Sequence, residues 1–89
     1  MCRNIRTLFN FEPPVTEAEI HAASLQFVRK ISGFNAPSKA NEATFFAAVD
    51  EVAKISGQLL SSLQSTTAPK NRQEEVAKAT VRAARRFAR

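Results

Sequence analysis

Residues 15–34 read VTEAEIHAASLQFVRKISGF, and the beginning, the face and the end of that stretch all describe one helix. Pro13-Pro14 stand just upstream, where two prolines in a row exclude helix. Thr16 is a good N-cap, and Glu19 three residues on completes a capping box. Val15 and Ile20 have the spacing of a hydrophobic staple around that cap. Ile20, Phe27 and Ile31 share one stripe with Ala23 between them, and Leu25 and Val28 widen it. Arg29 and Lys30 fall in the last turn, where cations suit the helix dipole. Gly33 is placed to stop the helix in a left-handed conformation, with Phe34 set against Val28 in a Schellman-type cap. The spacing predicts a helix over about 17–32.

Downstream, Asn35-Ala36-Pro37 lead to Ser38, a second N-cap, and to a long helix over about 39–63. Its seam is Phe45, Val49, Val52, Leu59 and Leu63, with Ser56 at the missing step. A second row, Phe46, Ala53 and Leu60, repeats every seven residues beside it. Gly57 lies inside this helix at a cost of roughly 1 kcal/mol against Ala, and marks either a close approach or a bend. The polar stretch 64–70 is a linker. Asn71, with Glu74 three residues on, caps a third helix over about 72–88, whose apolar stripe of Val76, Thr80, Ala83 and Phe87 is thin. Upstream, Ile5, Leu8, Phe9 and Phe11 fit either a short helix or an extended arm, and their apolar character argues for docking. The expected architecture is all-α. Segment 1–63 is a helical core with its N-terminal arm, 64–70 the linker and 71–89 a basic helix.

The chain has 89 residues and 9.8 kDa, room for one domain with little stability to spare. At 44% hydrophobic it is not generically disordered, and only two Gly and four Pro favour helix. One Cys permits no internal disulfide, which excludes a disulfide-scaffolded secreted domain. No apolar run approaches a membrane span, and none follows Arg3 and Arg6 as a signal peptide would require. These features point to a reduced, cytoplasmic protein.

The net charge of +5 is not evenly spread. Residues 1–69 hold six bases and six acids; residues 70–89 hold seven bases and two acids. Lys78, Arg82, Arg85 and Arg89 follow one another at spacings of four, three and four, with Arg86 beside them. Such a stripe suits successive phosphates of a nucleic acid or ribonucleoprotein, against the plainer reading of a solubilising tail. No aromatic residue interleaves with the arginines, so base stacking is not indicated. Val76 and Phe87 offer too little apolar area for a membrane surface.

Other residues give weaker signals. Cys2 would become an N-terminal nucleophile if Met1 were removed, but a small packed or exposed thiol is the simpler reading. One Cys and one His, His21, cannot build a structural metal site. Glu12, Asp50 and Glu51 make no convincing catalytic pair, and Asp50 with Lys54 and Glu74 with Lys78 are helix-supporting pairs. No phosphate loop, Cys-x-x-Cys or nucleophile-elbow motif is present, so no catalytic residue, cofactor or metal is assigned. The seven Phe are core by spacing. The width of the second helix's apolar face also suits a homodimer or partner surface built from Phe45, Phe46, Val49 and Leu60. The sequence thus gives three readings: a non-enzymatic module binding an anionic partner, a helical interaction or homodimerisation module, and a thiol-dependent activity at Cys2.

Several segments carry a resemblance. They are Met1-Cys2-Arg3-Asn4-Ile5-Arg6-Thr7-Leu8, Phe11-Glu12-Pro13-Pro14, Thr16 through Ile20, Gln26 through Phe34, and Pro37-Ser38. Over roughly residues 1–63 the chain resembles the bacterial family called domain of unknown function 2277, with the tail after Ser65 more like a variable extension. The resemblance implies a short, stand-alone bacterial protein with no assigned activity. It draws attention to Cys2, Arg3, Arg29, Lys30 and Ser32, the polar members of its two distinctive segments. An arm folded back on the end of the first helix would join Arg3 or Arg6 to Arg29 and Lys30 as a second basic patch.

Overall fold

The computed structural model describes residues 5–87, with side chains as far as residue 85. The chain runs through β1 (Phe11–Glu12), α1 (Glu17–Ser32), a 3-10 turn (Lys39–Asn41), α2 (Glu42–Ser62), β2 (Lys70–Asn71) and α3 (Arg72–Phe87). It is a small all-α domain with one two-stranded bridge. The strands pair in parallel, Phe11 with Lys70 and Glu12 with Asn71.

α1 forms as its sequence requires. The Thr16 hydroxyl accepts from the Glu19 amide at 3.2 Å, and the Thr16 amide donates to Glu19 Oε1 at 3.0 Å. At the other end Gly33 adopts φ 78° and donates its amide to the Arg29 carbonyl at 2.9 Å. That is the simple left-handed cap. The Phe34 amide turns instead to the Ser32 hydroxyl at 3.2 Å, so the Schellman arrangement is not the one adopted. α2 starts differently from expectation. Ser38 makes no side-chain cap bond to the backbone, and accepts from the Asn41 amide side chain at 2.8 Å across the 3-10 turn.

α1 and α2 pack antiparallel. Ile20, near the start of α1, lies against Gly57 in the second half of α2, while Val28 clusters with Phe45 and Val49. The core is small: Val28, Phe45 and Val49, flanked by Leu25 and Val52. Ser24 is buried with them because its hydroxyl donates to the Ile20 carbonyl at 2.8 Å, which satisfies it within its own helix. The buried line of α1 therefore runs through Ser24 and Val28. Phe27 and Ile31 of the expected stripe are left 44% and 69% exposed. On α2, Leu59 and Leu63 of the expected seam are also exposed.

The molecule is flat, with principal extents of 46 × 38 × 16 Å and a radius of gyration of 16.0 Å. A compact chain of this length has a radius near 12 Å. The accessible surface is 7242 Å², against roughly 5,200 Å² for a folded monomer of this mass. No helix among the described residues is long and apolar enough to cross a membrane.

Candidate nucleic-acid interface

What positions α3 is polar. Asn71 caps it as its sequence predicts, its side-chain oxygen accepting from the Glu74 amide at 3.0 Å. The next residue, Arg72, reaches back across the chain. Its Nη1 and Nη2 donate to Glu19 Oε2 and Oε1 at 3.0 and 2.9 Å, and its Nε donates to the Pro13 carbonyl at 2.7 Å. The two-pronged geometry fixes direction as well as distance. Glu19 thus serves two helices, closing the cap of α1 and holding the start of α3. The Arg72 guanidinium, together with the Thr16 amide and hydroxyl, holds the Glu19 carboxyl at about 2, well below the usual carboxylate range; partial burial opposes the shift. Arg6 adds a looser ion pair to Glu19 at 3.7 Å from a largely exposed position.

The strand bridge secures the same junction. Asn10 adopts a left-handed backbone at φ 66°, a conformation asparagine tolerates. Its carbonyl accepts from the Lys70 amide at 2.8 Å. Its side-chain amide donates to the Ser65 and Thr67 hydroxyls at 3.3 and 3.2 Å. The Lys70 ammonium sits 5.9 Å from the centre of the Phe11 ring. The linker is therefore tied to the arm at its far end.

Beyond this junction α3 stands largely in solvent. Val76 is 66% exposed. Lys78, Arg82 and Arg85 are exposed, and their spacing of four and three places them along one side of the helix. Arg86 belongs to α3, and Arg89 lies outside the described residues. Arg72, counted with the basic tail by composition, is taken up by Glu19 and Pro13. Glu75, Val76 and Ala79 border a shallow groove of about 260 Å³, closed on its other side by Arg6, Leu8 and Phe11 of the arm.

The remaining candidates disperse. Arg3 and Cys2 lie outside the described residues. Arg29 is half-buried and Lys30 exposed at the last turn of α1. Arg6 pairs with Glu19 at the first turn, ten residues and about 15 Å away along the axis. Phe45 and Val49 are 5% and 0% exposed between α1 and α2, which takes them out of any outer surface. Phe46 stacks edge-on against Phe45 with ring centres 5.2 Å apart and remains 45% exposed; Leu60 is half-buried. His21 is exposed beside Asp50 and Lys54 in an open groove. Among the described residues no group of three His, Cys, Asp or Glu side chains is gathered to hold a metal.

The family model for an uncharacterized conserved protein, DUF2277, matches residues 1–78. This chain belongs to that family. The match runs past residue 63, through the linker and into α3, so it spans both sides of the Glu19–Arg72 pair. It ends at Lys78, leaving Arg82, Arg85, Arg86 and Arg89 beyond it. No curated protein and no solved structure matches the chain.

Proposed function

We propose that the chain is a small, non-enzymatic binding module of the bacterial cytoplasm whose α3 contacts an anionic partner, a nucleic acid or a ribonucleoprotein. The observation that carries this reading is the position of the exposed bases. Lys78, Arg82 and Arg85 are exposed on a helix that is anchored at its start. Arg86 and Arg89 continue the same run in sequence. Contacts of this type position a protein on phosphates without reading bases. Because the stripe lies mostly beyond the segment that matches the family, the reading concerns this chain.

The test is fluorescence anisotropy with a generic single-stranded RNA and a duplex DNA across a salt series. Three to five phosphate contacts give a slope of log K against log salt of roughly −3 to −5. The matched variant is Lys78→Gln/Arg82→Gln/Arg85→Gln, which leaves the Arg72 anchor in place. It is expected to lose most of the affinity and about three units of slope on duplex DNA. Absence of binding by the full chain at low salt, or equal binding by the variant, overturns the reading.

A further inference from the structure

We propose that the apolar side of the α1–α2 pair carrying Phe27, Ile31, Ile55, Leu59 and Leu63 is the surface through which two copies of this chain associate. The inference is independent of what α3 binds.

Each helical residue turns about 100° from the last. Counted from the core-facing Val28, Ile31 lies about 60° and Phe27 about 100° round to one side. Counted from Val49, Leu63, Leu59 and Ile55 lie about 40°, 80° and 120° round in the same rotational sense. In an antiparallel pair, equal senses fall on the same side of the pair. The five side chains therefore form one face, each between 44% and 69% exposed. Ala48 and Val52 lie among them by the same count, as does Ile20, which packs on Gly57; no charged residue does, and Ala23 stands about 140° round, toward the rim. Glu51 and Lys30 stand at the rim.

The opposite side is already furnished. The arm residues Arg6 and Leu8 border Ala18 and Ala22 there, and Phe46 lies on that side too. Glu19, which holds α3, points away from α2 altogether, half a turn from Val28. Among the described residues neither the arm nor α3 covers the apolar face.

Area and charge decide the occupant. The five side chains expose on the order of 500 Å² per chain, most of the roughly 800 Å² that each partner gives to a standard interface, and Ala48 and Val52 between them add to it. Two chains of net charge +5 repel unless they meet through uncharged surface with their basic helices held apart. This face meets both conditions. A two-fold pairing then sets each row against its own counterpart.

Sedimentation equilibrium of the full chain over a concentration series up to the millimolar range measures the mass. The expected result is twice 9.8 kDa. Ile55→Glu/Leu59→Glu is expected to return the mass to that of one chain with helical circular dichroism retained, whereas Phe46→Ser on the opposite side keeps the dimer. A second measurement needs no variant: isotope-filtered NOEs in a mixture of labelled and unlabelled chains, expected between methyls of Ile31, Ile55, Leu59 and Leu63. A single-chain mass throughout the series overturns the proposal. So does a dimer whose intermolecular NOEs involve Phe46, Leu60 or α3, or one that survives in a folded Ile55→Glu/Leu59→Glu chain.

Discussion

α1 and α2 are joined by side chains that exclude water; α3 is joined to them by side chains that share hydrogen bonds and opposite charge. In the first region Val28, Phe45 and Val49 are almost wholly buried, and the buried Ser24 has its hydroxyl satisfied inside its own helix. In the second, Asn10, Glu19, Asn71 and Arg72 hold the junction through hydrogen bonds whose donors and acceptors are partly solvated. Apolar burial scales with area and is indifferent to direction. A two-pronged ion pair contributes less but sets orientation. One region should therefore respond to lost volume and the other to pH and salt.

The largest effect should come from the apolar region. Phe45→Ala removes a ring that is 5% exposed, at a cost of about 3–5 kcal/mol. For a domain with so small a core that is most of its stability. Urea denaturation followed by circular dichroism is expected to show a steep loss. Val76→Ala on α3, at 66% exposure, should change the unfolding free energy by less than about 0.5 kcal/mol. Similar losses from the two substitutions would break the contrast.

The polar region gives the next effect. Arg72→Ala removes both prongs on Glu19 and the bond to the Pro13 carbonyl, worth about 2 kcal/mol after allowance for partial exposure. Hydrogen exchange should quicken at residues 70–78 while amides near Val28 and Val49 change little. The pH dependence has a definite sign. Glu19 is held at about 2 in the folded chain against an ordinary value of 4.5. A depressed carboxyl contributes stability that is fully present above the ordinary value and lost as pH falls from about 4.5 toward 2. Acidification should therefore loosen α3 in the wild type, and Glu19→Gln should flatten that dependence by removing the charge. Loosening that begins near neutrality would assign the junction to another group.

Local signals were legible in the sequence. Thr16 with Glu19, Gly33, and Asn71 with Glu74 act over three or four residues, so their spacing alone set the bounds of α1 and the start of α3. The Glu19–Arg72 pair spans 53 residues, and no periodicity encodes it. One clue was present: an Arg at the first position of a helix faces the positive end of the dipole and needs a partner. The arm was ambiguous for a related reason. Its docking rests on Asn10 reaching Ser65, Thr67 and Lys70, side chains and backbone far along the chain. The apolar faces bury less than their width in the sequence implies: on α2 only Phe45 and Val49 are buried, and on α1 the buried line runs through Ser24 and Val28. A stripe drawn on apolar residues has no place for Ser24, although a serine that returns its hydroxyl to the preceding turn packs like a small apolar residue. A buried line through Ser24 leaves Phe27 and Ile31 outside.

The smallest expected effect sharpens the contrast from within α2. Gly57 costs the helix about 0.5–1 kcal/mol against Ala, chiefly through the freedom of the unfolded chain. A methyl group placed there would meet Ile20 Cδ1 at 3.9 Å, an ordinary contact, and no left-handed backbone requires glycine at this position. The approach of α1 is thus close enough to touch and not so close as to exclude a side chain. Gly57→Ala should raise the unfolding midpoint by a few degrees, with about 4–8 °C expected per kcal/mol for a domain of this size. Because the gain sits wholly in the α1–α2 pair, exchange should slow at its core amides, which open by global unfolding, and stay unchanged in α3, which opens by releasing Arg72. A loss of stability would mean that the helices meet more tightly at Ile20. Equal slowing in α3 would mean that the two regions open as one cooperative unit despite their different chemistry.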